Sequence, residues 1–150
     1  DLPEHTDSRL ELCLGSASAP GSLLRQKGWL LSDPLEITRD PWTYQRYIQS
    51  SKGEFTIAKH GYVVSHSGWF SERSAAYLAS GRPVVTQETG FSEWLDTGSG
   101  ILAFDTLDEA VDCLADVSGN YEHHSRAARD TAEKYFDSRI VLQNLLDELP

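Results

Sequence analysis

The chain has 150 residues, 39% of them hydrophobic and 24% charged, a composition that suits one globular domain with a buried core. Its 13 Lys and Arg stand against 23 Asp and Glu, a formal charge of -10 at pH 7. That balance argues against a nucleic-acid backbone or an anionic membrane as the main partner, because both require a basic face. A small phosphorylated ligand needs only a few N–H groups and one or two cations, and stays open. No apolar run approaches the ~18–20 residues of a membrane span. Cys13 and Cys113 lie far apart without metal-ligand spacing, so they read as reduced, buried thiols of a cytoplasmic protein. The chain opens on Asp1 and contains no Met, which reads as a piece of a longer protein.

Residues 1–8 are polar and read as a loose segment. Leu10, Leu12 and Leu14 alternate with Glu11 and Cys13, a short strand. The turn 15–22, "GSASAPGS", leads to a short helix with Pro20 in its first turn and Gly28 as its C-terminal cap. "WLLSDPL" is a second strand. Asp40 and Pro41 then supply the N-cap and first residue of a helix whose apolar face carries Trp42, Tyr44, Tyr47 and Ile48. "EFTIAK" is a third strand, "SERSAAYLASG" a helix of small residues, "PVVTQ" a fourth strand and "GILAF" a fifth. Thr106 to Glu109 is a capping box, and Leu107, Ala110, Val111, Leu114 and Val117 continue at helical spacing. Two more helices, about 121–135 and 138–149, close the chain.

Strands alternating with helices predict an α/β fold: a Rossmann-like, doubly wound parallel sheet of about five strands, order 3-2-1-4-5, with helices on both faces. Ligands of such sheets bind outside the carboxyl ends of the strands, where strand order reverses. That places a crevice between the first and fourth strands, flanked by Gly15 and Ser16 on one side and residues 87–93 on the other. Lys59 and His60 end the third strand, and Lys59 can meet a phosphate as a point charge. Gly68-Trp69-Phe70-Ser71 stands before the small-residue helix, where amides and hydroxyls could hold a diphosphate with Arg73 behind them. Each of these segments also reads as an ordinary turn, and Glu72 with Arg73 as a surface pair. His123 and His124 are sequence neighbours on a helix and read as exposed rather than as a metal pair. A Gly-x-Ser-x-Gly elbow is missing, which disfavours a Ser-His-Asp hydrolase.

Residues 66–91, followed by "GSGILAFDTLDEAVDCL", resemble the C-terminal, donor-binding half of GT-B glycosyltransferases. Gly81-Arg82-Pro83-Val84-Val85 matches that half's Gly-x-Pro-Val-Val element. Thr89-Gly90-Phe91-Ser92-Glu93 falls where the family has a diphosphate-binding Gly turn and a following Glu. "HSGW", beginning at His66, is similar to the His-x-Gly-Trp of nucleotide-sugar sites, and "YFDSRIVLQNLL" to the closing helix. The resemblance spans about residues 9–148. It implies a donor site built from Gly15, Ser16, Lys59, His66, Gly68, Ser71, Arg73, Thr89, Gly90 and Glu93. The ligand would be a UDP-, GDP- or dTDP-sugar, with no cofactor and no metal. It further implies a hexosyltransferase whose acceptor half is an N-terminal domain outside this chain, so that the chain alone is inactive. The paired glutamates of the retaining branch are absent: Val64 and Ser80 stand eight positions either side of Glu72, and Ala76 stands five before Gly81. The competing reading is a non-catalytic α/β module for ligand binding or assembly.

Overall fold

A computed structural model describes residues 1–16 and 18–149; Ala17, within the first predicted turn, lies outside them. The architecture is α/β, with its parallel strands divided between two small sheets. In the first, β1 (Glu11–Cys13) pairs with β2 (Leu30–Ser32). In the second, β4 (Val84–Gln87) lies between β3 (Glu54–Thr56) and β5 (Ile101–Phe104). The predicted five-strand sheet and its 3-2-1-4-5 order are therefore corrected. Val84 aligns with Glu54 on one side and Ile101 on the other, so no edge of β4 remains for β1. The approach of β3 rests on Gly53. The Glu54 N–H donates to the Pro83 carbonyl at 2.9 Å, and a Cβ at position 53 would sit 2.6 Å from that oxygen.

Both faces of the three-strand sheet are covered, as the period of two along each strand requires. Val84 and Ile101 point to one face. There they pack with Ile48 of α3 (Pro41–Ser50), Tyr77 and Leu78 of α5 (Glu72–Ala79), and Ala128 and Ala132 of α7 (Tyr121–Tyr135). Val85 and Leu102 point to the other face, against Ala110, Leu114 and Val117 of α6 (Leu107–Gly119). Leu2 and Leu10 join this second cluster, with Trp29 and Phe55 alongside. The first residues are thus not loose: Leu2–Glu4 form a 3-10 turn that buries Leu2.

Local signals set most helix starts. Asp40 caps α3 through the Thr43 N–H, and the capping box of Thr106 and Glu109 forms in full at α6. Two short helices interrupt predicted strands. Asp33 accepts from the Leu35 N–H and Pro34 opens α2 (Pro34–Ile37), which ends β2 at Ser32. Lys59 becomes the N-cap residue of α4 (His60–Val64), so β3 stops at Thr56. Residues Gly21–Gln26 form α1, and Ser138–Asp147 form α8, which buries no side chain. The thiol expectation is corrected as well: both cysteines are free, but Cys13 is exposed and Cys113 only half-buried. Among the described residues, no helix is long and apolar enough to cross a membrane.

Leu78 is fully buried between α5 and the sheet. Leu78→Ala is expected to destabilise the domain by about 2–5 kcal/mol in a denaturant melt, as a core truncation that leaves a cavity.

Candidate functional site

The carboxyl edge of the three-strand sheet collects most of the predicted site residues. The Glu88 N–H donates to the Phe104 carbonyl at 2.9 Å and carries the β4–β5 ladder to that edge, where the chain turns at Thr89 and Gly90. The turn 66–70, which follows α4, packs directly against it. The Gly68 N–H donates to the Thr89 carbonyl at 2.8 Å, and the Thr89 hydroxyl donates to the Trp69 carbonyl at 2.6 Å. Trp94 closes the contact by donating its indole N–H to the Gly68 carbonyl at 3.1 Å. Gly90 is buried at φ 93°, and a Cβ there would stand 3.0 Å from the His66 carbonyl oxygen. Glycine is therefore required at 90 by its backbone angle and by the close approach of the other turn. His66 itself adopts φ 45°, with its ring exposed.

Aromatic packing fixes the turns from beneath. Trp69 stacks on Tyr62 of α4, with ring centroids 5.0 Å apart. Phe70 stacks on Phe136 at 5.8 Å and tilts against Phe91 at 5.4 Å. Trp69 and Phe70 are thus packing groups on which the polar turn is mounted.

Ser71 and Arg73 stand at the start of α5 on the same edge. Ser71 is buried, and its hydroxyl accepts the Arg73 N–H at 3.2 Å as the helix cap. The Arg73 side chain reaches back over β3. Its Nε donates to the buried Glu54 carboxylate, and a terminal nitrogen donates to the Thr56 hydroxyl at 2.9 Å. Burial opposes the charge on this guanidinium, but the hydrogen bond and charge of Glu54 outweigh it and hold its pKa above the ordinary arginine value. Arg73 is accordingly a fixed cation, with about half of its side chain exposed. Lys59 and Glu93 are also exposed: Lys59 where α4 begins, Glu93 in the 3-10 turn Phe91–Glu93 that follows Gly90.

Gly15 and Ser16 do not join this group. They follow β1 of the other sheet, where Ser16 holds its own turn through the Ser18 N–H and hydroxyl. A shallow concavity there is lined by Ser16, Arg25 and Asp33 among others, and no hydrogen bond among the described residues links Gly15 or Ser16 to the 66–70 or 88–90 turns. The reason is topological: the crevice expected between β1 and β4 does not exist, because β3 occupies that edge of β4.

Sequence reasoning missed the role of Glu88. One of its carboxylate oxygens accepts the N–H groups of both Thr89 and Gly90, at 2.9 and 2.6 Å. An acidic residue just before a Gly turn is the available signal for such a contact. His124 corrects a second expectation: it is almost fully buried, with Nδ1 accepting the Gly100 N–H and Nε2 lying 3.3 Å from Asp116. His123 alone is exposed, within hydrogen-bond distance of the Ser99 hydroxyl. No group of His, Cys, Asp and Glu among the described residues has the arrangement of a metal centre. Comparison of the chain with protein-family models, with curated proteins and with solved structures finds no match.

The close approach at position 90 generates a test. Gly90→Val is expected to lower the melting temperature and to loosen the 66–70 turn, seen as faster exchange of the Gly68 amide proton. The β-branched residue must adopt a left-handed angle and displace the His66 carbonyl.

Proposed function

We propose that the chain is the donor-nucleotide half of a GT-B glycosyltransferase, holding the diphosphate of a UDP-, GDP- or dTDP-sugar for transfer to an acceptor bound by another domain. The observation that carries the reading is the meeting of two glycine turns and a helix start at the carboxyl edge of a parallel sheet, where open α/β sheets bind ligands. Arg73 stands beside them with its charge secured by Glu54. In this reading the diphosphate lies against residues 66–73 and 88–93. Exposed Lys59 supplies a second cation from the same edge, and Glu93 borders the site. No role falls to Gly15 or Ser16. The chain's own contribution is positioning, together with stabilisation of the departing diphosphate by N–H donors and Arg73. The acceptor, and any base that activates it, belong to the other domain, and the enzyme works in the cytoplasm.

The test is calorimetric titration of the chain with UDP, GDP and dTDP. Millimolar binding of at least one is expected, weakened about tenfold or more in Arg73→Ala, the loss of a charged hydrogen-bonding group. The chain alone is expected to transfer no sugar. Absence of binding to all three nucleotides even when Glu88 is replaced by Ala, or affinity indifferent to Arg73, sinks the reading.

A further inference from the structure

We propose that Glu88 is a built-in competitor for the anion-binding turn: its carboxylate occupies the Thr89 and Gly90 amides in the free protein and must leave when a diphosphate enters. The inference rests on the donor-site reading above and adds to it a contact that regulates entry. Three observations carry it. One carboxylate oxygen takes both amides of the turn, at 2.9 and 2.6 Å, so the donors offered to a phosphate oxygen already hold an anionic oxygen. The turn cannot move aside to offer these donors elsewhere. Its carbonyl and hydroxyl at Thr89 are committed to Gly68 and Trp69, and Gly90 is pressed against His66. The Glu88 side chain, by contrast, is only half-buried and can rotate into solvent without opening the core.

The chemistry is an exchange of one anion for another on the same donors. Hydrogen bonds from N–H to a charged oxygen are roughly twice as strong as those to a neutral one. A free ligand must first displace such bonds and then bear the repulsion of the displaced carboxylate beside it. Both terms oppose loading, and both disappear when the carboxylate is removed. A site of this kind stays closed to weakly held anions such as inorganic phosphate. It opens to a ligand whose further contacts, for instance with Arg73, repay the exchange.

The experiment compares the whole chain with Glu88→Ala and Glu88→Gln, by calorimetric titration with UDP, GDP, dTDP and inorganic phosphate, and by thermal melts of the same proteins. Glu88→Ala is expected to bind the preferred nucleotide about tenfold or more tighter than the parent and to gain measurable affinity for phosphate. Glu88→Gln, which keeps an acceptor but not the charge, is expected to fall between the two. If the parent binds a nucleotide and both variants bind it equally or more weakly, Glu88 is a ligand contact or a turn brace; this inference is overturned and the donor-site reading stands. If neither the parent nor any variant binds, both are overturned. Binding that emerges only in the variants supports both. Should Glu88→Ala fail to fold, Glu88→Gln decides alone: tighter binding than the parent supports the competitor, and equal or weaker binding overturns it.

Discussion

The candidate site depends on the clasp between Thr89 and the backbone of Gly68 and Trp69. One residue, itself almost fully buried, accepts an N–H through its carbonyl and donates its hydroxyl to the next carbonyl along. Buried backbone groups left unpaired are costly, so this pair of bonds fixes two turns relative to one another at an edge where neither has a regular partner. Gly90 is the steric half of the same arrangement, since any side chain there would hold the turns apart. The aromatic groups beneath, Trp69 on Tyr62 and Phe70 on Phe136 and Phe91, supply apolar burial that polar turns lack. The result is a rigid polar rim on a packed base, the arrangement a preorganised binding site needs.

The electrostatics of this rim are closely balanced, although the whole chain is acidic. Arg73 is neutralised by Glu54, and the amides of Thr89 and Gly90 are met by Glu88. Glu54 is almost wholly buried, and its second oxygen has no partner among the described residues. A half-satisfied buried carboxylate is a poor stabiliser, because well-packed apolar residues often serve as well or better. Its retention beside the one arginine of the rim fits a role in holding that cation in place. Two donor groups of the rim, the Arg73 guanidinium and the paired Thr89 and Gly90 amides, thus already meet carboxylates of the protein itself.

Much of the local structure was legible in the residues. Asp40-Pro41 and Thr106-to-Glu109 name their helix starts through cap chemistry that needs no tertiary context. The apolar runs at Val84-Val85 and Ile101-Leu102 mark two strands, which the structure buries on both faces. What the pattern does not encode is which strands are neighbours. A short apolar run marks a strand, and nothing within it ranks one neighbour over another. The neighbour relation came instead from single contacts, such as the Pro83 carbonyl entering the space above Gly53. For the same reason the sequence joined Gly15 and Ser16 to a crevice that the sheet order removes. The roles of Glu88 and Glu54 were hidden because each side chain's choice between solvent and a nearby donor is settled only by the fold. Asp33-Pro34 carried a legible cap signal that the apolar run "WLLSDPL" outweighed.

The Thr89 clasp makes the two turns one unit without being part of the sheet core. Amide-resolved hydrogen exchange of Thr89→Val against the parent tests it most directly, because the substitution keeps the volume and removes only the hydroxyl that reaches Trp69. Faster exchange is expected at Gly68, whose N–H meets the Thr89 carbonyl, while Val84, whose N–H meets the Gly100 carbonyl in the core, keeps its protection. Unchanged protection at Gly68, or an equal loss at Gly68 and Val84, would contradict it.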